Sequence, residues 1–283
     1  MKITPDEMVA SVSNLTTFPA VALRIDRALA DENFTVDDIG DILETDPALS
    51  VKLLKIANSA YYSRGVEVDS VSRAASVIGS RKVRDIVFTQ CATDTFKSFP
   101  NDLQSLDDFW NHSLYCAVAA QEIAKQLRYG GDLSLYTAGL LHDIGQLVMF
   151  TQYPDESRRA LEISINQTDG TSPHLGEIEV FGFDHTAVGA SLARQWNFPR
   201  ALSECIEFHH APGACSAELA TEVAIVHVAN STAVLAELAS EEIEDAPEID
   251  PAALGLLGLD TETIVEIAAK ARAEVDEMVG VFN

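Results

Sequence analysis

Apolar residues recur along most of this chain at the three- and four-residue spacing that is typical of amphipathic helices. Period-two alternation, which would indicate β-strands, is not found over any useful length. The stretch that follows Asp46-Pro47 shows the helical pattern well, because its apolar positions make one broad stripe formed by Leu49, Leu53, Leu54, Ile56 and Ala57. The pattern predicts an all-α fold.

Residues that commonly cap helix N-termini mark where several predicted helices begin. Thr4 and Asp46 each precede a proline, and Ser70 precedes a short apolar segment that Gly79 is expected to end. Such short helices with short connectors favour a compact all-α packing over a bundle of four long rods.

Composition breaks divide the chain into three parts. Pro100, within residues 98–102, separates an N-terminal helical lobe (residues 1–97) from a second helical region (residues 98–240). In the second region we predict helices over residues 106–128, 133–143 and about 152–167. The two lobes together form one predicted domain, residues 1–240.

The last part of the chain, residues 241–283, is predicted to be an acidic linker followed by a C-terminal amphipathic helix. From Glu237 to Asp250 there are seven acidic residues and no lysine or arginine, which is typical of a solvated linker. The amphipathic stretch could dock back on the domain or contact a partner.

The charge balance excludes several classes of partner. A net charge of −25 disfavours binding to nucleic acid or to anionic lipid, and 47% hydrophobic residues are enough for a sizeable core. The N-terminus lacks a signal-peptide hydrophobic region, and no window reaches 18 uninterrupted apolar residues. The four cysteines form no CxxC pair, which favours a reducing compartment. We therefore expect a cytoplasmic protein that binds neither nucleic acid nor membrane.

Five of the seven histidines form an ordered series in which two are adjacent and one is followed by aspartate. Histidine nitrogens and carboxylate oxygens spaced along helices are the usual ligands of a divalent metal in an all-helical protein. One doublet lies in the apolar run AGLLHDIGQLVMF, where burying two ionisable groups costs free energy unless each has a partner. The candidate ligands are His112, His142, Asp143, His185, His209 and His210.

Each candidate also has a structural interpretation. His112 lies on an apolar helix face, where a lone histidine is commonly a hydrogen-bonded core residue, and Asp108, one turn earlier, can simply favour a helix N-terminus. Adjacent residues converge only where a helix ends, so His142 and Asp143 need a departure from helical geometry, which we assign to Gly145. Asp143 could instead be a cap.

The second doublet and His185 carry similar alternatives. His209 and His210 can both reach a pocket only if their helix ends there, because consecutive helical residues diverge by about 100°. His185 stands at a predicted helix start and would be unremarkable alone. The complete series therefore indicates a metal pocket more strongly than any one member.

The order of these residues resembles the HD superfamily of metal-dependent phosphohydrolases, which includes the HD-GYP cyclic-dinucleotide phosphodiesterases. The N-terminal FPAVALRIDRALADENFTVDDIGDILETDPALSVKLLKIANSAYYS, with GLLHDIGQLV, FDHTAVGASLARQWNFP and IEFHHAP downstream, is similar to the HDOD domain, an HD-related output domain of bacterial signalling proteins. The resemblance spans about residues 12–235. It implies an N-terminal helical lobe packed on a degenerate HD-type lobe.

The resemblance also implies which residues match the enzymes and which depart from them. The histidine series occupies metal-ligand positions, and Asp108 stands where such enzymes can place an extra glutamate. Gln146 replaces a lysine that would help to hold phosphate, and the GYP signature is missing. The last ligand position carries Asn230 instead of aspartate, with His227 one turn before it. Because asparagine adds no negative charge, we expect one divalent transition metal (Fe, Mn, Ni or Zn) or none.

Three functional hypotheses follow. The first is a signalling module that acts through a protein partner, which could be a second copy of the chain, and that retains a vestigial or single-metal pocket without hydrolysis. The second is a metal-dependent phosphohydrolase acting on a nucleotide or cyclic dinucleotide, and a small nucleotide ligand is compatible with either. The third is a polar network that only fixes core packing.

Overall fold

The computed structural model describes residues 3–12, 18–29, 31, 33–43, 45–58, 68–97, 103–131, 134–166 and 173–282. Every regular element in these ranges is helical, and none of the described residues forms a strand, which confirms the all-α prediction. Three short 3-10 helices accompany the α-helices, which are α1 (Pro5–Ala10), α2 (Ala20–Leu29), α3 (Val36–Leu43), α4 (Pro47–Ala57), α5 (Val71–Ile78), α6 (Ser80–Phe96), α7 (Leu106–Gln126), α8 (Leu135–Leu141), α9 (Ile144–Gln152), α10 (Pro154–Asn166), α11 (Pro173–Phe181), α12 (His185–Gln195), α13 (Arg200–Phe208), α14 (Ala220–Leu238), α15 (Pro251–Leu257) and α16 (Thr261–Phe282).

The predicted helix caps are confirmed. Thr4 and Glu7 form a reciprocal capping box at the start of α1. The side chains of Asp46 and Ser70 accept backbone N–H groups of the first turns of α4 and α5. Gly79 ends α5 with φ of 91°, a conformation that a side chain would strain.

The chain divides into two compact units. The smaller unit contains residues 17–96 and 276–283, and the larger contains residues 1–16 and 97–275. The unit changes at residue 97, and the division into lobes at Pro100 stays a prediction, because residues 98–102 lie outside the described residues. The first 16 residues, which the sequence pattern places with the N-terminal lobe, belong to the larger unit because α1 packs against α9 and α12.

The smaller unit is built on α2 to α6. Its amphipathic helices bury their apolar faces against one another, with Ile25, Ile39, Leu43 and Leu53 almost fully inaccessible to solvent. Within the described residues, the groups of histidine, cysteine and acidic side chains that could hold a metal all lie in the larger unit.

The larger unit is organised around α14, which packs against α7, α8, α13 and α15. One stretch that includes it, Ala217–Leu238, is long and apolar enough to cross a membrane by length and composition, but 67% of the tested window is buried inside the protein. A core helix passes the same test, so this stretch is only weak support for a membrane span.

The helix α9 was not predicted, and the role assigned to Gly145 from the sequence is wrong. Gly145 lies inside α9, and the departure from helical geometry occurs at Asp143, with φ of −96° and ψ of 10°. A Cβ on Gly145 would overlap the backbone carbonyl of His185 and the backbone nitrogen of Gly189. The glycine therefore allows α9 and α12 to approach each other backbone to backbone, which brings the start of α12 to the histidine–aspartate doublet.

The C-terminal segment docks on the larger unit as far as residue 275. Ile264, Ile267 and Ala271 of α16 are buried, and the Arg272 guanidinium donates a hydrogen bond to the Ala236 carbonyl at 3.1 Å. Helix α14 extends to Leu238, so the segment predicted to be a linker from residue 237 begins two residues later.

Candidate metal centre

The ordered histidine series converges on one carboxylate. Nε2 of His185 and of His209 lie 3.1 and 3.3 Å from Asp143 Oδ1. Nε2 of His142 and of His112 lie 3.2 and 3.8 Å from Asp143 Oδ2. The structure thus gathers around Asp143 residues that lie far apart in the sequence.

The ligand atoms form two groups that share Asp143. In each group the candidate ligand atoms lie within 4.8 Å of one another. We call the first the inner group, which consists of Asp143, His185, His209 and His210, and the second the outer group, which consists of His112, His142 and Asp143.

Helix ends aim both doublets at the site. Helix α8 ends at Leu141, and His142 and Asp143 follow it before α9 begins. Asp143 stands at the N-cap position of α9 but makes no capping hydrogen bond, which excludes the alternative that it is a cap. Helix α13 ends at Phe208, so His209 and His210 leave the helix and both reach the inner group.

Backbone carbonyls fix the rings of His142 and His209. Nδ1 of His142 lies 2.7 Å from the Gly139 carbonyl, and Nδ1 of His209 lies 2.9 Å from the Ile206 carbonyl. A carbonyl only accepts, so each Nδ1 carries the proton. In the neutral ring, Nε2 then presents its lone pair to the site, as it does in metal-bound histidines.

Two other histidines are oriented by carboxylates. Nδ1 of His185 lies 2.7 Å from Glu177 Oε2, and Nδ1 of His112 lies 2.6 Å from Glu237 Oε1. A carboxylate on the far nitrogen fixes the tautomer and makes the near nitrogen a better ligand. Glu177 also accepts the backbone N–H of His185 at 2.8 Å, so it holds both the ring and the start of α12.

Several buried atoms at the site have no hydrogen-bond partner of acceptable geometry. These are Nε2 of His142, Nε2 of His209 and Oδ1 of Asp143. Leaving such groups unsatisfied costs about 1–3 kcal/mol each. In addition, Nε2 of His185 faces Nε2 of His210 at 3.2 Å, and two such lone pairs repel unless a cation or a proton lies between them. The donor set therefore fits a divalent transition metal.

The electrostatics of the site raise the pKa of two histidines and lower the pKa of the shared carboxylate. Burial disfavours the charged rings of His142 and His185. Nearby carboxylates outweigh burial, Asp143 at His142 and both Glu177 and Asp143 at His185, so the pKa of each histidine lies well above its usual value. Although burial disfavours the carboxylate, these two histidines hold the pKa of Asp143 well below its ordinary value.

Two further rings of the inner group have a lowered pKa. Burial, together with the charge on His142, lowers the pKa of His209 to about 4. Burial and the neighbouring His209 hold the pKa of His210 well below its usual value. Neutral rings are the form that binds a metal, so these two are ready ligands at neutral pH.

The three weaker candidates have different surroundings. Asp108 is exposed in the first turn of α7 and belongs to neither group, as its structural interpretation predicts. Asn230 Oδ1 lies 3.0 Å from His112 Nε2, which places it beside the outer group. His227 uses both ring nitrogens elsewhere, because Nδ1 donates to the His209 carbonyl at 2.7 Å and Nε2 accepts the Asp250 N–H at 2.9 Å. It supports His209 and offers no free ligand atom.

Sequence reasoning missed Glu177, Glu237 and His174. Glu237 lies in the segment that its acidic composition predicts to be a solvated linker, yet it stands in the last turn of α14 and makes a hydrogen bond with His112. His174 stacks on His210, with ring centroids 4.1 Å apart. The spacing of His174 and Glu177, which puts both on one side of a helix, was the available signal.

Comparisons with known proteins identify solved structures that this chain resembles in fold. An HDOD domain protein of unknown function from Geobacter sulfurreducens is 25% identical, with a TM-score of 0.75 over 98% of this chain and 94% of that chain. A candidate phosphohydrolase from Shewanella amazonensis SB2B is also 25% identical, with a TM-score of 0.72 over 98% of each chain.

Sequence comparison extends to a longer relative. An uncharacterized protein from Treponema pallidum (strain Nichols) is 28% identical over 203 residues, which are 70% of this chain and 38% of that protein. This chain therefore spans less than two fifths of the length of that relative. The family model of the HDOD domain matches residues 15–212, which include every member of the histidine series. The chain belongs to the HDOD domain family.

Proposed function

We propose that this chain is a regulatory module of bacterial signal transduction that acts through protein contacts and holds one divalent transition metal at Asp143 without hydrolysing phosphodiesters. Family membership supports a signalling-related module. The observation that carries the metal assignment is a set of converging buried atoms that make no hydrogen bond of acceptable geometry, Nε2 of His142, Nε2 of His209 and Oδ1 of Asp143.

The inner group is the better seat for a single ion. It supplies three imidazoles and one carboxylate, a donor set that suits iron, manganese, nickel or zinc. His185, His209 and Asp143 would hold the ion, with His210 completing the set. When bound, the ion would supply Lewis acidity, while Glu177 would keep the His185 ring in the ligating tautomer.

Charge supports the absence of hydrolysis. Asp143 is the one carboxylate in either group among the described residues, so two divalent ions would be poorly neutralised. Asn230 is neutral where the resemblance to the HD enzymes implies an aspartate, and Gln146 is neutral where it implies a lysine. A site that holds one ion and has no basic side chain to bind phosphate is better suited to binding a metal than to hydrolysing a phosphodiester.

The alternative function is metal-dependent phosphohydrolysis. The sharing of Asp143 by two ligand groups favours it, since two-metal hydrolases hold their ions about 3.5–4 Å apart with such a ligand between them. The similar Shewanella amazonensis protein is named as a candidate phosphohydrolase.

Turnover by metal-loaded protein separates these two functions. The protein would be loaded in turn with Fe²⁺, Mn²⁺, Ni²⁺ and Zn²⁺ and assayed with bis(p-nitrophenyl) phosphate and with cyclic dinucleotides. We expect no rate above that of Asp143→Asn in the same buffers. A metal-dependent rate that Asp143→Asn abolishes would contradict the regulatory proposal and establish the phosphohydrolase.

A further inference from the structure

A groove in the C-terminal part of the larger unit has no role in the site described above. It lies between the end of α14, the connecting segment that follows it and the first half of α16, and its volume is about 740 Å³. We call it the acidic groove, and its lining includes Leu235, Ala236, Ile243, Val265, Ala268 and Ala269.

The groove combines an apolar floor with an acidic rim. Ile243 and Val265 are half-buried and Ala269 is exposed, and these three side chains form the accessible apolar floor, whereas Leu235, Ala236 and Ala268 are buried. Five glutamates line the same groove, and all five are exposed: Glu241, Glu242, Glu244, Glu262 and Glu266. A rim of one sign around an aliphatic floor complements a ligand that is apolar on one side and cationic on the other.

Few cations of this chain neutralise the rim. Arg272 lines the groove and keeps its positive charge while its guanidinium donates to the Ala236 carbonyl at 3.1 Å, so the five glutamates of the lining outnumber one arginine. Lys270 lies 3.7 Å from Glu266 on the exposed side of α16, an ion pair that is worth little in water. The rim therefore keeps a strong negative potential.

We propose that the acidic groove is the docking site for a cationic amphipathic helix of a partner protein. Laying the apolar face of a helix into an aliphatic groove is a common mode of peptide recognition, and lysine or arginine at the edges of that face would pair with the rim. This proposal rests on the proposed function, because it names the kind of partner through which the module acts.

Charge argues against the other occupants. A second copy of this chain carries a net charge of −25 and would be repelled by the same rim, and so would nucleic acid or an anionic membrane. Ala236 and Ala239, which line the groove, flank in sequence Glu237, whose Oε1 lies 2.6 Å from His112 Nδ1. A helix seated there would touch the turn of α14 that holds the outer group.

The test uses the full chain and three synthetic 18-residue peptides. One carries leucine on one helical face and lysine on the other, the second has the same composition scrambled so that no face forms, and the third carries glutamate in place of lysine. Binding would be measured by fluorescence anisotropy at two salt concentrations. We expect the amphipathic cationic peptide to bind more tightly than both controls.

Matched variants locate the binding. Removing three rim charges with E241Q, E262Q and E266Q should weaken binding of the cationic peptide on the order of tenfold. The control D155N, E162Q and E179Q removes the same number of exposed acidic charges from α10 and α11 and should change the affinity for the peptide by less than about twofold. Ala269→Trp, which fills the groove without changing charge, should also weaken binding.

The outcomes are distinct. Equal losses in the two triple variants, equal binding of the scrambled peptide, or no binding of the amphipathic peptide would each overturn the docking site. Metal content is measured separately, and Asp143→Asn should bind the peptide as the unmodified chain does. Failure of the metal assignment therefore leaves the groove intact, and failure of the groove leaves the metal assignment intact.

Discussion

The inner and outer groups share Asp143 but differ in how their ligands are held. In the inner group, the side chains of His185 and His209 are 1% and 0% exposed, and a buried glutamate and a backbone carbonyl fix their rings. In the outer group, His112 is 17% exposed and depends on Glu237, whose side chain is 34% exposed. Burial and short anchors preorganise the inner group, whereas the outer group is partly open to water.

The difference in preorganisation favours the inner group as the seat of the proposed ion. A preorganised set of neutral nitrogens around one carboxylate can hold an ion without rearrangement. The outer group adjoins the position where the HD resemblance implies an aspartate and this chain has Asn230. In the proposed function the inner group would accordingly hold the ion, and the outer group lacks the charge that a second ion requires.

Removing the shared carboxylate should have the largest effect. Asp143→Ala deletes the one carboxylate of both groups, and bound metal measured by elemental analysis should fall below about a tenth of the wild-type amount. Asp108→Ala, which removes an exposed acid outside both groups, should leave the metal content unchanged. Full occupancy in a folded Asp143→Ala protein would show that the ion lies elsewhere.

Removing one histidine from each group should separate the two groups. We expect His209→Ala to weaken metal binding by more than about a hundredfold and His112→Ala by about tenfold, since only the former is an inner ligand. Competition with a chelator of known affinity measures both values. Equal losses would show that the two groups contribute alike and would break the distinction.

Removing the carboxylate that orients a histidine should weaken metal binding more in the inner group than in the outer group. Glu177→Gln, at the buried inner ring, should weaken metal binding by about 10–100-fold, and Glu237→Gln, at the part-exposed outer ring, should weaken it by less. Glu179→Gln is the matched control on α11, because that glutamate is exposed. A larger loss for Glu237→Gln would reverse the proposed order.

Helix packing that supports the inner group can be tested at Gly145. Gly145→Ala places a Cβ against the backbone of α12, and overpacking of this kind costs typically about 1–3 kcal/mol of unfolding free energy. Gly213→Ala is the control, since a Cβ there would meet no atom within 4 Å. Urea denaturation measures both, and an unaltered midpoint for Gly145→Ala would rule out the close approach of α9 and α12.

Restoring a carboxylate to the outer group should have the smallest effect. Asn230→Asp adds the missing charge next to His112 and should tighten metal binding by several-fold, an electrostatic gain on the order of 1 kcal/mol. Asn230→Ala serves as the control that changes size without adding charge. Unchanged affinity in Asn230→Asp would place this residue outside the influence of the ion.

Local patterns predicted much of the fold, and the ordered series of histidines indicated which residues would lie together. The caps at Thr4, Asp46 and Ser70 follow from side-chain chemistry within one helical turn, so the sequence is sufficient to identify them. The sequence does not predict α9, because a glycine at position 145 is typical of a helix end. Its actual role depends on contact with α12, which lies far along the chain and which no local pattern contains.

The sequence singles out the candidate ligands of the site, but it does not single out the carboxylates that orient them. Histidine and aspartate in an apolar run cost free energy without partners, and the sequence alone therefore singles out His142 and Asp143. Glu177 and Glu237 occupy ordinary helical positions, and exposed glutamates are common on helices. Only the tertiary packing shows that their carboxylates face His185 and His112.

The most direct test of the central claim is the number of metal ions per chain. Protein purified without chelators or a metal-affinity column would be incubated in turn with Fe²⁺, Mn²⁺, Ni²⁺ and Zn²⁺, freed of unbound ion and measured by elemental analysis. We expect one tightly bound ion per chain for at least one of these metals. No bound ion would leave the histidine series as a polar network that fixes packing, and two would show that the outer group is complete.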